Sequence, residues 1–199
     1  MLEEMLGDSN MRIRATGYQR LVFAVCLATL LSLSSTVAHA STPPPSCAIE
    51  NLSLGIGQKF SHMTQEQGNL YTLTNRGKVI CLLHGYPRVS YYDKTRHLLP
   101  FKYTQSSSIY LTHAAPKTVV LHFGARAFFF VAGPSTCDFG TRIEAVTIRV
   151  YLPNAKEPLV GRATAYPATG GEISYCTGAA TYQARQLDVS PVRPDIHYL

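Results

Sequence analysis

Tryptophan is absent from the 199 residues, and charged side chains make up only 15% of them. The first absence leaves ring surface to 12 tyrosines and 8 phenylalanines; the second excludes a highly charged, fully solvated chain. No two cysteines stand as C-x-x-C, so the closely spaced ligand pairs of a zinc site are missing. Neither H-x-H nor H-E-x-x-H occurs, which removes the motif of a metalloprotease. The nucleophile elbow G-x-S-x-G of a serine hydrolase is also lacking. Gly55-Ile56-Gly57 has neither the third glycine nor the following helix of a phosphate loop. Basic residues form no run, and only one N-terminal stretch carries a helical period.

That stretch is the first positive signal. From Met11 the chain reads MRIRATGYQR, basic and free of acids, then LVFAVCLATLLSLSSTVA, then Ala38-His39-Ala40 before Ser41. A basic segment, an apolar segment and an A-x-A site in this order predict a signal peptide over residues 1–40, cleaved after Ala40. Glu3, Glu4 and Asp8 are out of place in such a leader, so Met11 is the expected start. The apolar segment is at the lower end of the ~17–25 residues of a spanning helix, so the membrane enters only if the leader is retained. Cys26 follows Phe-Ala-Val and Cys47 follows Pro-Pro-Pro-Ser, neither of which makes a lipobox. The expected location is secreted or in the extracytoplasmic envelope.

Cys26 leaves with the leader, and Cys47, Cys81, Cys137 and Cys176 remain. An even number of widely spaced cysteines in an oxidising compartment predicts two structural disulfides rather than a metal site. Four cysteines allow three pairings, which sequence does not separate. Cys47–Cys81 with Cys137–Cys176 is the one expected, because each pair then joins halves of one neighbourhood.

Ser41 to Ser46 (STPPPS) reads as a Pro-rich linker over 41–46, and 47–199 as a single domain. Its apolar residues recur in short alternating runs divided by turn residues. Strands are expected over 49–56, 70–74, 79–83, 89–92, 98–103, 117–123, 127–131, 143–152, 159–166, 173–176 and 182–189. Asn75-Arg76-Gly77 between the second and third of these predicts a β-hairpin. Residues 143–152 show the clearest period of two, with Val146, Ile148, Val150 and Leu152 on the face expected to meet an opposing sheet. Phe128 to Val131 reads as a core strand buried on both sides. The sum is an all-β fold, a single immunoglobulin-like β-sandwich with two disulfides.

Lys and Arg number 18 against 12 Asp and Glu, a net charge of +6. The charges are dispersed, which serves solubility; contact with an anionic envelope polymer is the second reading. Export argues against nucleic acid. Beyond His39 the histidines are His62, His84, His97, His113, His122 and His197, with no ligand spacing among them. His84 suits a turn and His122 the solvent face of a strand. No catalytic residue, no metal and no cofactor is expected.

Tyr71-Thr72-Leu73-Thr74-Asn75-Arg76-Gly77-Lys78-Val79-Ile80-Cys81-Leu82-Leu83-His84-Gly85-Tyr86-Pro87-Arg88-Val89 resembles the signature of the domain of unknown function 4232 family: Asn-x-Gly, Cys, apolar residues, then Gly-Tyr-Pro-x-Val. A looser resemblance runs from Cys47 through Cys176. It implies an exported protein or lipoprotein of the kind found mostly in actinobacteria, and brings no activity. The motif has a fold reading: positive φ at Asn75 and Gly77, release of the chain from the sheet at Gly85 and Pro87, and a buried Tyr86 ring. Where many members have a Pro-Gly turn and a tryptophan, this chain has Gly124-Ala125-Arg126 and Phe128 to Phe130.

The function expected on this basis is a non-enzymatic exported envelope domain that binds or recognises an envelope component or polymer. Strand edges and the loops from Gly85 to Arg96 are its natural surface. The alternatives are an enzyme acting on cell-wall polymer, which requires a cleft with two converging carboxylates, and a structural component of the envelope.

Overall fold

A computed structural model describes residues 42–61, 66–105, 115–134, 137, 140–153, 155–164, 173–178 and 185–196. The expected leader, Ser41, His62, His113 and His197 lie outside the described residues. The chain divides after Thr42, and all that follows concerns the unit Pro43–Leu199.

β-branched and aromatic residues suit a pleated, half-buried surface, and the named elements among the described residues are twelve strands and a 3₁₀ turn at Ile49–Asn51. The strands are β1 Leu52–Ser61, β2 Glu66–Asn75, β3 Cys81–Leu83, β4 Arg88–Tyr92, β5 Lys102–Thr104 and β6 Val119–Leu121. There follow β7 Arg126–Pro134, β8 Thr141–Glu144, β9 Thr147–Tyr151, β10 Leu159–Arg162, β11 Ser174–Thr177 and β12 Gln186–Val189. They form a five-stranded sheet β1-β2-β7-β12-β5, a three-stranded sheet β10-β9-β4, and the pairs β11-β8 and β3-β6. All ladders are antiparallel except β12 with β5.

One apolar core takes a face from each sheet. Tyr71, Leu73, Ala127, Phe129, Val131, Leu187 and Val189 come from the five strands; Val89, Tyr91, Ile148, Val150 and Leu159 come from the three. Tyr71 and Phe129 are register partners, and their rings stack at 5.1 Å. β7 is buried on both faces, because Phe130 and Ala132 point away from Phe129 into a second cluster with Leu70. A β-carbon on Gly68 would overlap the Phe130 ring, so glycine at this point of β2 is a steric requirement.

Two expectations about connectivity are corrected. The segments around Asn75 form no hairpin: β2 pairs with β1 and β7, while β3 pairs with β6. Asn75 explains why. Its backbone φ is not positive, and neither is that of Gly77. Its buried side chain instead donates to the carbonyls of Val79 (2.9 Å) and Leu121 (3.0 Å) and accepts from the Gly77 N–H (2.9 Å). The amide thus ties the loop after β2 to the end of β6 and sends the chain out of the five-stranded sheet. Gly77 is small because a β-carbon there would meet the Asn51 side chain at 2.7 Å. Positive φ occurs at Gly85 and Gly124.

The second correction concerns 143–152, which is two strands. The Ala145 N–H donates to Ile173 beside β11, and the Val146 N–H donates to Tyr92 at the end of β4. The chain therefore leaves one sheet and enters another between these residues, as strands do at the corners of packed sheets. The alternation slips by one, so Ala145 is buried and Val146 is 47% exposed, while Ile148, Val150 and Leu152 are buried as the period requires.

The structure joins Cys47 to Cys81, with Cα atoms 4.8 Å apart, and Cys137 to Cys176, at 5.7 Å. The first bond holds the N-terminal edge of the domain on β3. There the Cys47 N–H donates to Leu82 and the Leu82 N–H donates to Pro45.

Candidate functional site

The period of two along the three-stranded sheet decides which side chains face out. On β4, Val89 and Tyr91 enter the core, leaving Arg88, Ser90 and Tyr92 outside. On β9, Ile148 and Val150 go in and Thr147, Arg149 and Tyr151 out; on β10, Leu159 goes in and Val160 and Arg162 out. Register then sets neighbours. Arg88 faces Tyr151, Ser90 faces Arg149 and Tyr92 faces Thr147 across β4 and β9. Arg149 faces Val160 and Thr147 faces Arg162 across β9 and β10.

The three arginines consequently descend one pleat per strand: Arg88, Arg149, Arg162. Diagonal neighbours in an antiparallel sheet lie ~7–8 Å apart at the backbone, so the three arginines stand on an evenly stepped diagonal of positions. Two of its members are held by rings. The Arg88 guanidinium lies 4.7 Å from the centre of Tyr151, and that of Arg149 lies 4.5 Å from the centre of Tyr92. Arg149 also donates from Nη1 to the Tyr92 hydroxyl at 3.4 Å. A cation over a ring is worth about 0.5–1 kcal/mol at an exposed site. A guanidinium carries five N–H donors, so one seated on a ring keeps donors for a phosphate or carboxylate.

No carboxylate occupies an outward position among these eight residues, and none of the three arginines forms an ion pair among the described residues. Ser90 and Thr147 put hydroxyls on this face, but no carboxylate, imidazole or thiol stands among the eight residues to activate them. Its chemistry is that of holding an anion.

The positions singled out from sequence are not brought together. His84 lies at the end of β3 with Nδ1 3.3 Å from Thr118, and His122 is exposed in the turn after β6 rather than within a strand. His97 stands beside Asp93 at 3.8 Å, in a turn where Asp93 Oδ1 accepts from the Thr95 and His97 N–H groups. The hydrogen bond from Thr95 leads the interactions that hold the Asp93 carboxyl below its ordinary range. The loops at Gly85 and at Asp93 to Arg96 flank opposite ends of β4, so they do not form one surface. Among the described residues, no three His, Cys, Asp or Glu side chains are grouped to hold a metal, and no helix is long and apolar enough to cross a membrane.

A pocket of about 280 Å³ opens beside Cys47, lined by Ser46, Ala48, Ile49, Glu50, Pro153, Ala155, Lys156 and Glu157. Its two carboxylates are exposed and share the rim with the Lys156 ammonium.

Sequence reasoning missed the arginine line because Arg88, Arg149 and Arg162 are far apart along the chain. The local signal was present in the outward alternation Arg88-x-Ser90-x-Tyr92 and Thr147-x-Arg149-x-Tyr151. Only the register places the two patterns side by side.

No curated protein and no solved structure matches the chain. The family model described as domain of unknown function (DUF4232) matches residues 47–193, most of the chain, and the protein belongs to that family.

Proposed function

We propose that this protein is an exported, non-enzymatic recognition domain of the cell envelope, built as an immunoglobulin-like β-sandwich that holds its partner on the outer face of β4, β9 and β10. The leader pattern ending at Ala40 and the two disulfides support an oxidising, extracytoplasmic setting. A core shared between the five-stranded and three-stranded sheets supports the sandwich. The observation that carries the binding reading is the pair of arginines fixed over tyrosines, with no carboxylate paired to them among the described residues.

The test is co-sedimentation of the protein, produced from the full chain and purified with its disulfides formed, with insoluble envelope material. The expected result is sedimentation that is lost in the Arg88→Gln, Arg149→Gln, Arg162→Gln triple variant. Sedimentation unchanged by the three substitutions would remove this face from the function. Among the described residues, support for the wall-enzyme alternative comes from Glu50 and Glu157 at the pocket beside Cys47. Turnover of an envelope polymer that disappears in Glu50→Gln or Glu157→Gln would establish that alternative instead.

A further inference from the structure

Resting on the reading that the outer face of β4, β9 and β10 binds an envelope component, we infer that the component is a linear polyanion, a polymer repeating phosphate or carboxylate groups, laid along the diagonal Arg88–Arg149–Arg162. The geometry favours a chain of anions over a single one. Arg88 and Arg149 are each seated on a different ring, Tyr151 and Tyr92, which stand on adjacent strands at opposite ends of the sheet pairing. Seated so, the two guanidinium groups cannot close on one phosphate. A polymer with successive charges meets them in turn, and Arg162 continues the line on the next strand.

A chain passing across the three adjacent strands meets one arginine on each. Among the eight outward residues Val160, 62% exposed, is the one aliphatic side chain, so insertion of this face into lipid has little to drive it. Nucleic acid is disfavoured by the same rings. Binding a single strand relies on aromatic faces free to stack on bases, and here a guanidinium covers one face of each tyrosine. The interior of the polymer is not read; its charge spacing is.

Calorimetric titration suits a chain without tryptophan. The probes are inorganic polyphosphate and polygalacturonate, with orthophosphate, galacturonate and neutral dextran as references and single-stranded DNA as the competing class. The expected result is that one or both polyanions bind at least tenfold more tightly, per anionic group, than the matching monomer, and that dextran does not bind. Which polymer binds more tightly assigns phosphate or carboxylate. Three contacts to a flexible polyanion give a log–log salt slope of about −2, and the triple arginine-to-glutamine variant should lose at least tenfold in affinity and most of that slope. Its melting temperature should fall by no more than about 10 °C, because all three arginines are exposed and two give up a contact with a ring.

Equal binding of monomer and polymer, binding to dextran, indifference to the arginines, or tighter binding of DNA would each overturn the inference. The two levels separate cleanly. Arginine-dependent sedimentation with envelope material that neither polyanion competes away rejects the polyanion and leaves the recognition face standing. Sedimentation indifferent to the arginines rejects the face itself.

Discussion

The hydroxyl of Tyr71 on β2 lies 3.0 Å from the hydroxyl of Tyr91 on β4, and it donates to the carbonyl of Ala163 at 2.5 Å. With the Tyr71 proton committed to Ala163, Tyr91 is the donor in the pair. A chain of two hydrogen bonds therefore crosses the core from the three-stranded sheet to the five-stranded sheet and back. Asn69 adds a third, from Nδ2 to the same carbonyl at 3.3 Å. All three side chains are buried, so their polar atoms have no water to fall back on.

Tyr71→Phe should therefore cost more than its single lost oxygen implies. It leaves the Tyr91 O–H without its acceptor and the Ala163 carbonyl with only the longer Asn69 bond. An unsatisfied buried group costs about 1–3 kcal/mol. Tyr91→Phe removes only the terminal donor and should cost less, about 1 kcal/mol. Urea unfolding of the two variants, at unchanged m-value, gives the order; equal losses would contradict the donor assignment.

The same burial gives a pH dependence. Desolvation holds both phenols well above their ordinary value, which is about 10 in an unfolded chain. The unfolded state therefore sheds protons that the folded state keeps. Stability should be complete below pH ~10 and fall as pH rises above it, by up to about 1.4 kcal/mol per pH unit for each phenol. Urea midpoints measured at rising alkaline pH check this. The Tyr71→Phe, Tyr91→Phe double variant should show a shallower fall, because it retains only the other tyrosines.

Asn75 makes a sharper test of the loop clamp. Asn75→Ala leaves two carbonyls and one N–H without their side-chain partner and should cost about 2–4 kcal/mol. Asn75→Asp keeps the shape but turns a donor into an acceptor facing the carbonyls of Val79 and Leu121. It should be the worse of the two at neutral pH and recover as acid protonates it. Thermal melts of both variants across pH decide this; an aspartate as stable as the parent would mean that the side chain does not hold the two carbonyls.

These residues show what could be read from the chain and what could not. The alternation in Val89 to Tyr92 and Thr147 to Leu152 marks strands and names their buried faces correctly. Local pattern goes no further than one strand. Asn75-Arg76-Gly77 has the composition of a hairpin turn, yet the side chain of Asn75 satisfies carbonyls at Val79 and Leu121, and the second of these comes from a distant strand. The break at Ala145-Val146 is invisible because both residues are apolar and the change of sheet is made by backbone bonds to Ile173 and Tyr92. Polar residues such as Gln67 and Asn69 carry no strand signal, and pairing with β7 places them in β2 all the same. The arginine line needs two registers at once, β4 on β9 and β9 on β10, so it exists only in the folded chain.

If the rings of that face position its charges, their removal should weaken binding at little cost in stability. Tyr92→Leu takes away the surface over which Arg149 lies and should weaken polyanion binding about two- to fivefold, the equivalent of 0.5–1 kcal/mol. The unfolding free energy should fall by no more than about 1 kcal/mol, the worth of the lost contact between cation and ring. Tyr92→Phe keeps the ring and gives up only a hydrogen bond of 3.4 Å, so its affinity should stay within about twofold of the parent. In an Arg149→Gln background the effect of Tyr92→Leu should vanish, because the ring acts through the guanidinium and residues in contact couple. A tyrosine that touched the polymer directly would keep its effect when Arg149 is gone, and the double-mutant cycle distinguishes the two roles.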